Sequence, residues 1–269
     1  MILAINSQNT YTQIGCVDDK GTVNHVFRIK TDVNETEFGY AAKIKDIANL
    51  LGIDLSTLDG AVLSSVVPPI TKTLTKAIHL LGITDTLPVG TGIKTGLHIC
   101  IDDPGTVAAD LVTAAVAAKE EYALPCIVID MGTATTVTVV NQQGKYVGGA
   151  IFPGVELSLS ALADKTALLP KIEIHPPKNA ISSNTVDCMK SGIVYGSAGA
   201  IDGMLDRITE ELNCTLPTFI ATGEYASVII PHCRHSIITD DTLLLRGLYA
   251  IWRKNQKIKA DLSHSSRIE

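Results

Sequence analysis

The chain has 269 residues, 46% of them apolar, with a formal net charge of −6 and a pI near 5.6. That much apolar material folds into a core, and internal similarity between the two halves favours two cores over one. The acidic balance excludes a general nucleic-acid or anionic-membrane surface, since both need a basic face.

Met1 to Ile5 reads as an apolar strand that ends on the polar turn Asn6-Ser7-Gln8-Asn9-Thr10. Tyr11 to Val17, a turn at Asp18-Asp19-Lys20-Gly21 and Thr22 to Ile29 complete an antiparallel meander, marked by alternation and a glycine-ended turn. A helical pattern follows from Glu37 to Leu51. The next strand, Gly60 to Val67, stops at Pro68-Pro69, which opens a helix from Ile70 to Leu81. Asp102-Asp103-Pro104 reads as the opening of a helix over Val107 to Glu121, where carboxylates suit the unpaired N–H groups of a helix start. On residue type alone Asp110 is such a first-turn carboxylate.

The second half repeats the plan. Cys126 to Ile129 is an apolar strand that ends on Asp130-Met131-Gly132-Thr133-Ala134-Thr135-Thr136, a carboxylate followed by a glycine and hydroxyls. Strands through Val140 and from Lys145 to Phe152 flank the turn Asn141-Gln142-Gln143-Gly144, and a helix runs from Glu156 to Ala163. A long helix starting near Val186, with Thr185 as its cap, carries Met189, Ile193, Tyr195, Ile201 and Leu205. That stripe reads as core or as a dimer face, and Gly192, Gly196, Ala198 and Gly199 favour close helix approach. Thr215 to Ala221 reads as a strand, Asp241 to Trp252 as the closing helix, and the polar residues from about Lys254 onward as a frayed tail.

Two meanders, each followed by strand and helix, imply a duplicated α/β protein with mixed sheets and a nucleotide cleft between its halves. The expected division is 1–118, 119–255 and a polar tail over 256–269. Of the two turns, the second keeps the residues a phosphate needs, while the first has Asn6 and Gln8 where a carboxylate and a glycine would serve. Neither a P-loop nor a dinucleotide-binding glycine motif is present. The six cysteines are scattered without a C-x-x-C pair and read as reduced thiols. His232-Cys233-Arg234-His235 is the nearest approach to a zinc spacing and is read as something else. No 18-residue apolar span and no basic leader are seen, so the expected compartment is the cytoplasm.

With these features in order, the chain resembles the type III pantothenate kinases, members of the acetate kinase, sugar kinase, Hsp70 and actin superfamily. The likeness spans roughly Met1 to Trp252. It includes Ser64-Ser65-Val66-Val67-Pro68-Pro69, Gly92-Ile93-Lys94-Thr95-Gly96-Leu97, Asp130 through Thr136, Gly148-Gly149-Ala150-Ile151-Phe152-Pro153-Gly154, Asn184-Thr185, and Ser191-Gly192-Ile193-Val194-Tyr195-Gly196. The resemblance implies a pair of ribonuclease H-like domains. It also implies ATP-dependent phosphorylation of the pantothenate hydroxyl, the first step of coenzyme A synthesis, with Mg²⁺ and a monovalent cation (K⁺ or NH₄⁺) in a homodimer. Asp110 is then the general base, Asp130 the potassium-site carboxylate, Asn6 through Thr10 with Gly132 and Thr133 the phosphate contacts, and Thr185 a reach to pantothenate across the dimer.

The family's D-x-G-N-T is Asn6-Ser7-Gln8-Asn9-Thr10 here, its G-A-D-R is Ala108-Ala109-Asp110-Leu111, and its tyrosine before D-N-P is Ile101. Leu111 replaces a guanidinium that pairs with the pantothenate carboxylate, and Ile101 replaces a phenol donor. Glu224 in Thr222-Gly223-Glu224 departs from the glycine expected near adenosine. The resemblance with these departures implies reduced or lost kinase activity. The alternatives are a non-catalytic subunit or regulator, forming a homodimer or a heterodimer with an active homologue, and a kinase with a changed acceptor.

Overall fold

The computed structural model describes residues 1–213 and 216–265, with side chains through 259. The described residues form two compact units, the first made of 1–98, 102–120 and the chain from 242 on, the second of 99–101 and 121–241. The closing helix therefore groups with the first half, whereas the expected boundary placed it with the second.

In the first unit β1 (Ile2–Ser7), β2 (Tyr11–Val17) and β3 (Val23–Lys30) form the antiparallel meander, and β4 (Gly60–Ser65) and β5 (Thr86–Pro88) continue in parallel on the other side of β1. The order is β3-β2-β1-β4-β5. Every residue of β1 is buried, as expected of a central strand covered on both faces. Leu3 and Ile5 pack with Ala61 and Leu63 against α1 (Glu37–Leu50) and α2 (Pro68–Leu80). Ile2 and Ala4 pack with Val62 against Leu245, Leu248 and Trp252 of the closing helix. Alternation along β1 and β4 thus puts Asn6 and Ser64 on the closing-helix side, and Ser7 on the other.

Helix α1 starts where Thr36 accepts from Gly39 N at 3.1 Å, and the two prolines occupy the first turn of α2, where no N–H is required. After the two-residue strand β6 (His98–Ile99), Asp103 caps a single 3₁₀ turn, Pro104–Thr106, by accepting from Gly105 N at 3.1 Å. α3 (Ala109–Glu121) begins beyond it, so the aspartate before the proline caps a separate turn and leaves Asp110 in the first turn of the helix.

The second unit repeats the order. β7 (Cys126–Met131), β8 (Ala134–Val140) and β9 (Lys145–Pro153) are antiparallel neighbours, and β10 (Thr218–Thr222) and β11 (Ile238–Thr239) run parallel beyond β7, with β6 added outside β9. α4 (Val155–Lys165), α5 (Thr185–Glu211) and α6 (Ala226–Ile229) cover one face. Met189, Ile193, Ile201 and Leu205 of α5 are buried in this core with Ile127 and Ile129, so the stripe read as core or dimer face is core. Asn184, whose side chain accepts from Asp187 N at 2.9 Å, caps α5, and Thr185 is its first helical residue. α7 runs Leu243–Ser265, so the polar stretch expected to fray is helical through Ser265.

Thr215, the expected start of β10, lies outside the described residues, as do Cys214 and 266–269. Cys16, Cys100, Cys126, Cys188 and Cys233 are free thiols, and burial pushes those of Cys126 and Cys233 up to about 12. His235 lies 2.8 Å from Asp206 Oδ1, and Asp202 accepts from the backbone N–H groups of Arg234 and His235, so this segment is docked onto α5. Among the described residues no helix is long and apolar enough to cross a membrane.

Candidate active site

Each unit carries one polar turn at the end of its central strand, but the two differ in length. Ser7 faces Thr12 with Gln8, Asn9, Thr10 and Tyr11 between them, whereas Met131 faces Thr135 with only Gly132, Thr133 and Ala134 between. The first turn is one residue longer, closed by Gln8 N donating to Tyr11 O at 3.0 Å. In space Thr10 therefore corresponds to Thr133: Thr31 N donates to Thr10 O at 2.9 Å as Gly154 N donates to Thr133 O at 3.1 Å. The equal layout expected from the sequence does not hold.

Ser7 is turned to the face opposite Asn6. Its hydroxyl lies 2.9 Å from Thr12 Oγ1, which lies 2.9 Å from Thr31 Oγ1, a buried chain that ties the meander together. Gln8 is half-buried, and Asn9 is exposed. Among the described residues the non-glycine positions at positive φ are His25 and Asn213, so Gln8 needs no left-handed backbone and its effect is one of space alone.

Asn6 stands opposite Gln13 and beside Ser64. Asn6 is 2% exposed and Ser64 0%, and Asn6 Oδ1 and Ser64 Oγ have no hydrogen-bond partner among the described residues. A buried acceptor left unmade costs about 1–3 kcal/mol, so the pair is shaped for something it receives. An amide, a hydroxyl and a second amide do not make the carboxylate-containing oxygen set that a divalent cation takes. A Mg²⁺ ion does not fit the residues present at this strand end.

In the second unit Asp130, 6% exposed, stands beside Thr222 and opposite Thr136. Gly223, at φ +97°, closes over it: a Cβ there would lie 2.6 Å from Asp130 Oδ1. Gly154 performs the same service for the turn, since its Cβ would lie 2.3 Å from both Gly132 O and Thr133 O. The buried carboxylate of Asp130 beside the Thr222 hydroxyl supplies the anionic and neutral oxygens that a monovalent cation takes.

Asp110 sits in the first turn of α3, between Ala109 and Leu111, with Ala108 preceding the helix. Its Oδ1 accepts from Leu111 N at 2.8 Å. Burial pushes its carboxyl above the ordinary carboxylate range, against the lowering effect of that backbone bond. A carboxyl raised in the folded state favours its neutral form. The contribution of Asp110 to stability is therefore complete below its unfolded value of ~3.9 and is lost as pH rises through the folded one. Asp110→Asn is expected to raise the melting temperature at neutral pH and to match wild type in acid, which thermal unfolding across pH will read. Equal melting temperatures at both ends would refute the burial cost.

Ile101 is half-buried in the second unit, its Cγ2 3.8 Å from where a Cβ on Gly148 would stand. Thr185 is exposed at the start of α5, relieved of capping by Asn184. Gln13 joins the sites without having been quoted from the sequence, while Ser64, Gly154, Thr222 and Gly223 were quoted only as parts of longer motifs and given no role of their own. Ser64 and Thr222 each end an apolar strand on a hydroxyl, and the sheet register sets them beside Asn6 and Asp130.

A meander flanked by parallel strands, built twice in the same order with a polar turn at each central strand, is the ribonuclease H-like fold of the actin-like ATPases and sugar kinases. Solved structures that share it include the activator of 2-hydroxyisocaproyl-CoA dehydratase from Clostridium difficile with bound ADPNP, and component A of (R)-2-hydroxyglutaryl-CoA dehydratase from Acidaminococcus fermentans. The first has a TM-score of 0.59 at 10% identity, covering 96% of this chain and 97% of that one; the second has 0.56 at 12%, covering 94% and 98%. Within that fold the chain belongs to the type III pantothenate kinase family, whose family model matches residues 2–207. It is 39% identical over 255 residues to the type III pantothenate kinase of Halalkalibacterium halodurans, covering 95% of this chain and 100% of that protein. To that of a Geobacillus species it is 40% identical, covering 95% and 98%.

Proposed function

We propose that this protein phosphorylates the hydroxyl of pantothenate with ATP, in the cytoplasm and as a homodimer, at a turnover reduced by Asn6, Gln8, Ile101, Ala108 and Leu111. The observation that carries the reading is Asp110, retained in a family member and raised by burial toward the range in which a carboxylate works as a general base. The acceptor oxygen bonds to the γ-phosphorus as the bond from that phosphorus to the ADP oxygen breaks, and the hydroxyl proton passes to Asp110. Gly132 and Thr133 hold phosphate oxygens, and Asp130 is the residue that would hold K⁺ or NH₄⁺, neutralising charge beside the phosphates. Ala108, Ala109, Leu111 and Ile101 line the acceptor side, and Thr185 reaches the acceptor of the neighbouring subunit. No step is assigned to a metal at Asn6.

A coupled assay with pantothenate, millimolar ATP and Mg²⁺ tests this. Turnover is expected well below the ordinary kinase range of roughly 1–100 s⁻¹. Asp110→Asn should lower it further, by about 10²–10⁴-fold. Ordinary rates would overturn the impairment, and a residual rate indifferent to Asp110 would overturn its catalytic role. A second reading, a non-catalytic subunit completing an active homologue's site, is favoured by Thr185, which is exposed and free of capping duty. Co-purification with such a homologue supports it, and a strict homodimer in its presence counts against it. A changed, uncharged acceptor follows if an alcohol without a carboxylate binds better than pantothenate beside Leu111 and Ile101.

A further inference from the structure

The two units offer the same strand-end slot with different chemistry. In the second it holds a carboxylate and a hydroxyl, Asp130 beside Thr222; in the first, an amide and a hydroxyl, Asn6 beside Ser64. Both first-unit residues are over nine-tenths buried, adjacent strands lie about 4.8 Å apart, and the two side chains share a face. Asn6 Oδ1 is an acceptor only, Ser64 Oγ is donor and acceptor, and neither atom has a hydrogen-bond partner among the described residues. Ser65 cannot relieve them: its hydroxyl is engaged with Val67 O and Val67 N, each at 3.1 Å. A buried water molecule takes two to four polar partners, and an acceptor beside a hydroxyl supplies the first two. A divalent cation, by contrast, needs anionic oxygen to replace its tightly held hydration shell.

We propose that the end of β1 is a receptor for one hydrogen-bond donor, a water molecule in the free protein, shared by Asn6 Oδ1 and Ser64 Oγ, and that it takes no divalent cation. Ser64 is thereby a specificity-determining residue of the first unit. Its hydroxyl and the Asn6 amide together choose a neutral donor where a carboxylate would choose a metal. The proposal is independent of pantothenate turnover, because its readouts need neither nucleotide nor acceptor.

The test uses the full-length protein, its Asn6→Asp, Asn6→Ala and Ser64→Ala variants, and three measurements. Thermal unfolding with and without millimolar Mg²⁺ is expected to leave wild type unmoved and to raise the melting temperature of Asn6→Asp by a few degrees. Mn²⁺ titration followed by paramagnetic resonance is expected to find no metal bound by wild type that Asn6→Ala fails to bind. A high-resolution crystal structure is expected to show a water within about 3 Å of both atoms, lost in Ser64→Ala. An Mg²⁺-dependent rise in wild type abolished by Asn6→Ala, or bound Mn²⁺ lost in the same variant, would overturn the proposal. So would an unoccupied pair in the crystal, or a folded Asn6→Asp that ignores Mg²⁺. Should Asn6→Asp not fold, the wild-type, Asn6→Ala and Ser64→Ala arms decide alone.

Discussion

Asn6→Asp combined with Gln8→Gly is expected to raise pantothenate phosphorylation at saturating ATP and Mg²⁺ by roughly 100-fold over wild type. A unit negative charge about 4–5 Å from a divalent ion, at an effective dielectric near 20, is worth roughly 6–8 kcal/mol before water and protein rearrange. If about a third survives that rearrangement, the gain is about 2–3 kcal/mol, or roughly 30- to 150-fold in rate. Gln8→Gly adds room and not backbone freedom, since Gln8 already avoids positive φ. Its cost in loop entropy is about 0.5–1 kcal/mol of stability. Steady-state kinetics on wild type, both single variants and the double variant separate the contributions, with the charge expected to carry most of the gain.

An unchanged rate in the double variant would move the defect to the acceptor side. There Leu111 leaves the acceptor carboxylate without a guanidinium, and a buried carboxylate lacking a partner is costly. Leu111→Arg would then be the substitution that recovers turnover, mainly through the KM for pantothenate. The two arms touch different substrates, so the double variant is expected to change the KM for ATP and Leu111→Arg that for pantothenate.

The fold was legible where burial dictates residue type over a whole element. Ile2 to Ile5 and Cys126 to Ile129 are apolar without alternation because central strands covered on both faces bury every side chain, and each was readable as such. Caps were legible by residue type but not by position: Asp103 precedes a proline as a helix cap often does, yet it serves a 3₁₀ turn, and Asn184 does what Thr185 could equally have done. Competition between neighbouring hydroxyl, amide and carboxylate caps is settled by backbone angles that the sequence does not print. The turn lengths were hidden for a similar reason. Asn6 and Asp130 align in sequence, but pairing register follows turn geometry, and Gln8 with Tyr11 closes a wider loop. Asn6 and Leu111 stand out in the sequence because each replaces a charge that the family motif carries. What the sequence does not show is pairing across strands, so Ser64 beside Asn6 and Thr222 beside Asp130 are set by the sheet register alone.

Gly154→Ala is expected to destabilise the second unit by roughly 2–4 kcal/mol and, on the proposed role of Gly132 and Thr133, to weaken nucleotide binding. The added Cβ would meet Gly132 O and Thr133 O at 2.3 Å. Both are backbone atoms of the turn itself, so no side-chain rotation relieves the overlap and the turn must move. Gly154 has φ −72° and ψ 173°, a region open to any residue, so the whole cost comes from contact and none from backbone angle. The first unit shows what tolerance would require. Thr31 makes the corresponding bond there, to Thr10 O, but across a turn one residue longer. Gly192→Ala in α5 is the control: nothing lies within 4 Å of its Cβ position, and removing an interior helix glycine should stabilise the monomer by about 0.5–1 kcal/mol. Urea unfolding with nucleotide binding measured on both variants decides the matter. A Gly154→Ala protein within about 0.5 kcal/mol of wild type that still bound ATP would mean that the second turn can lengthen like the first, and that bare backbone at Gly132 and Thr133 does not hold phosphate.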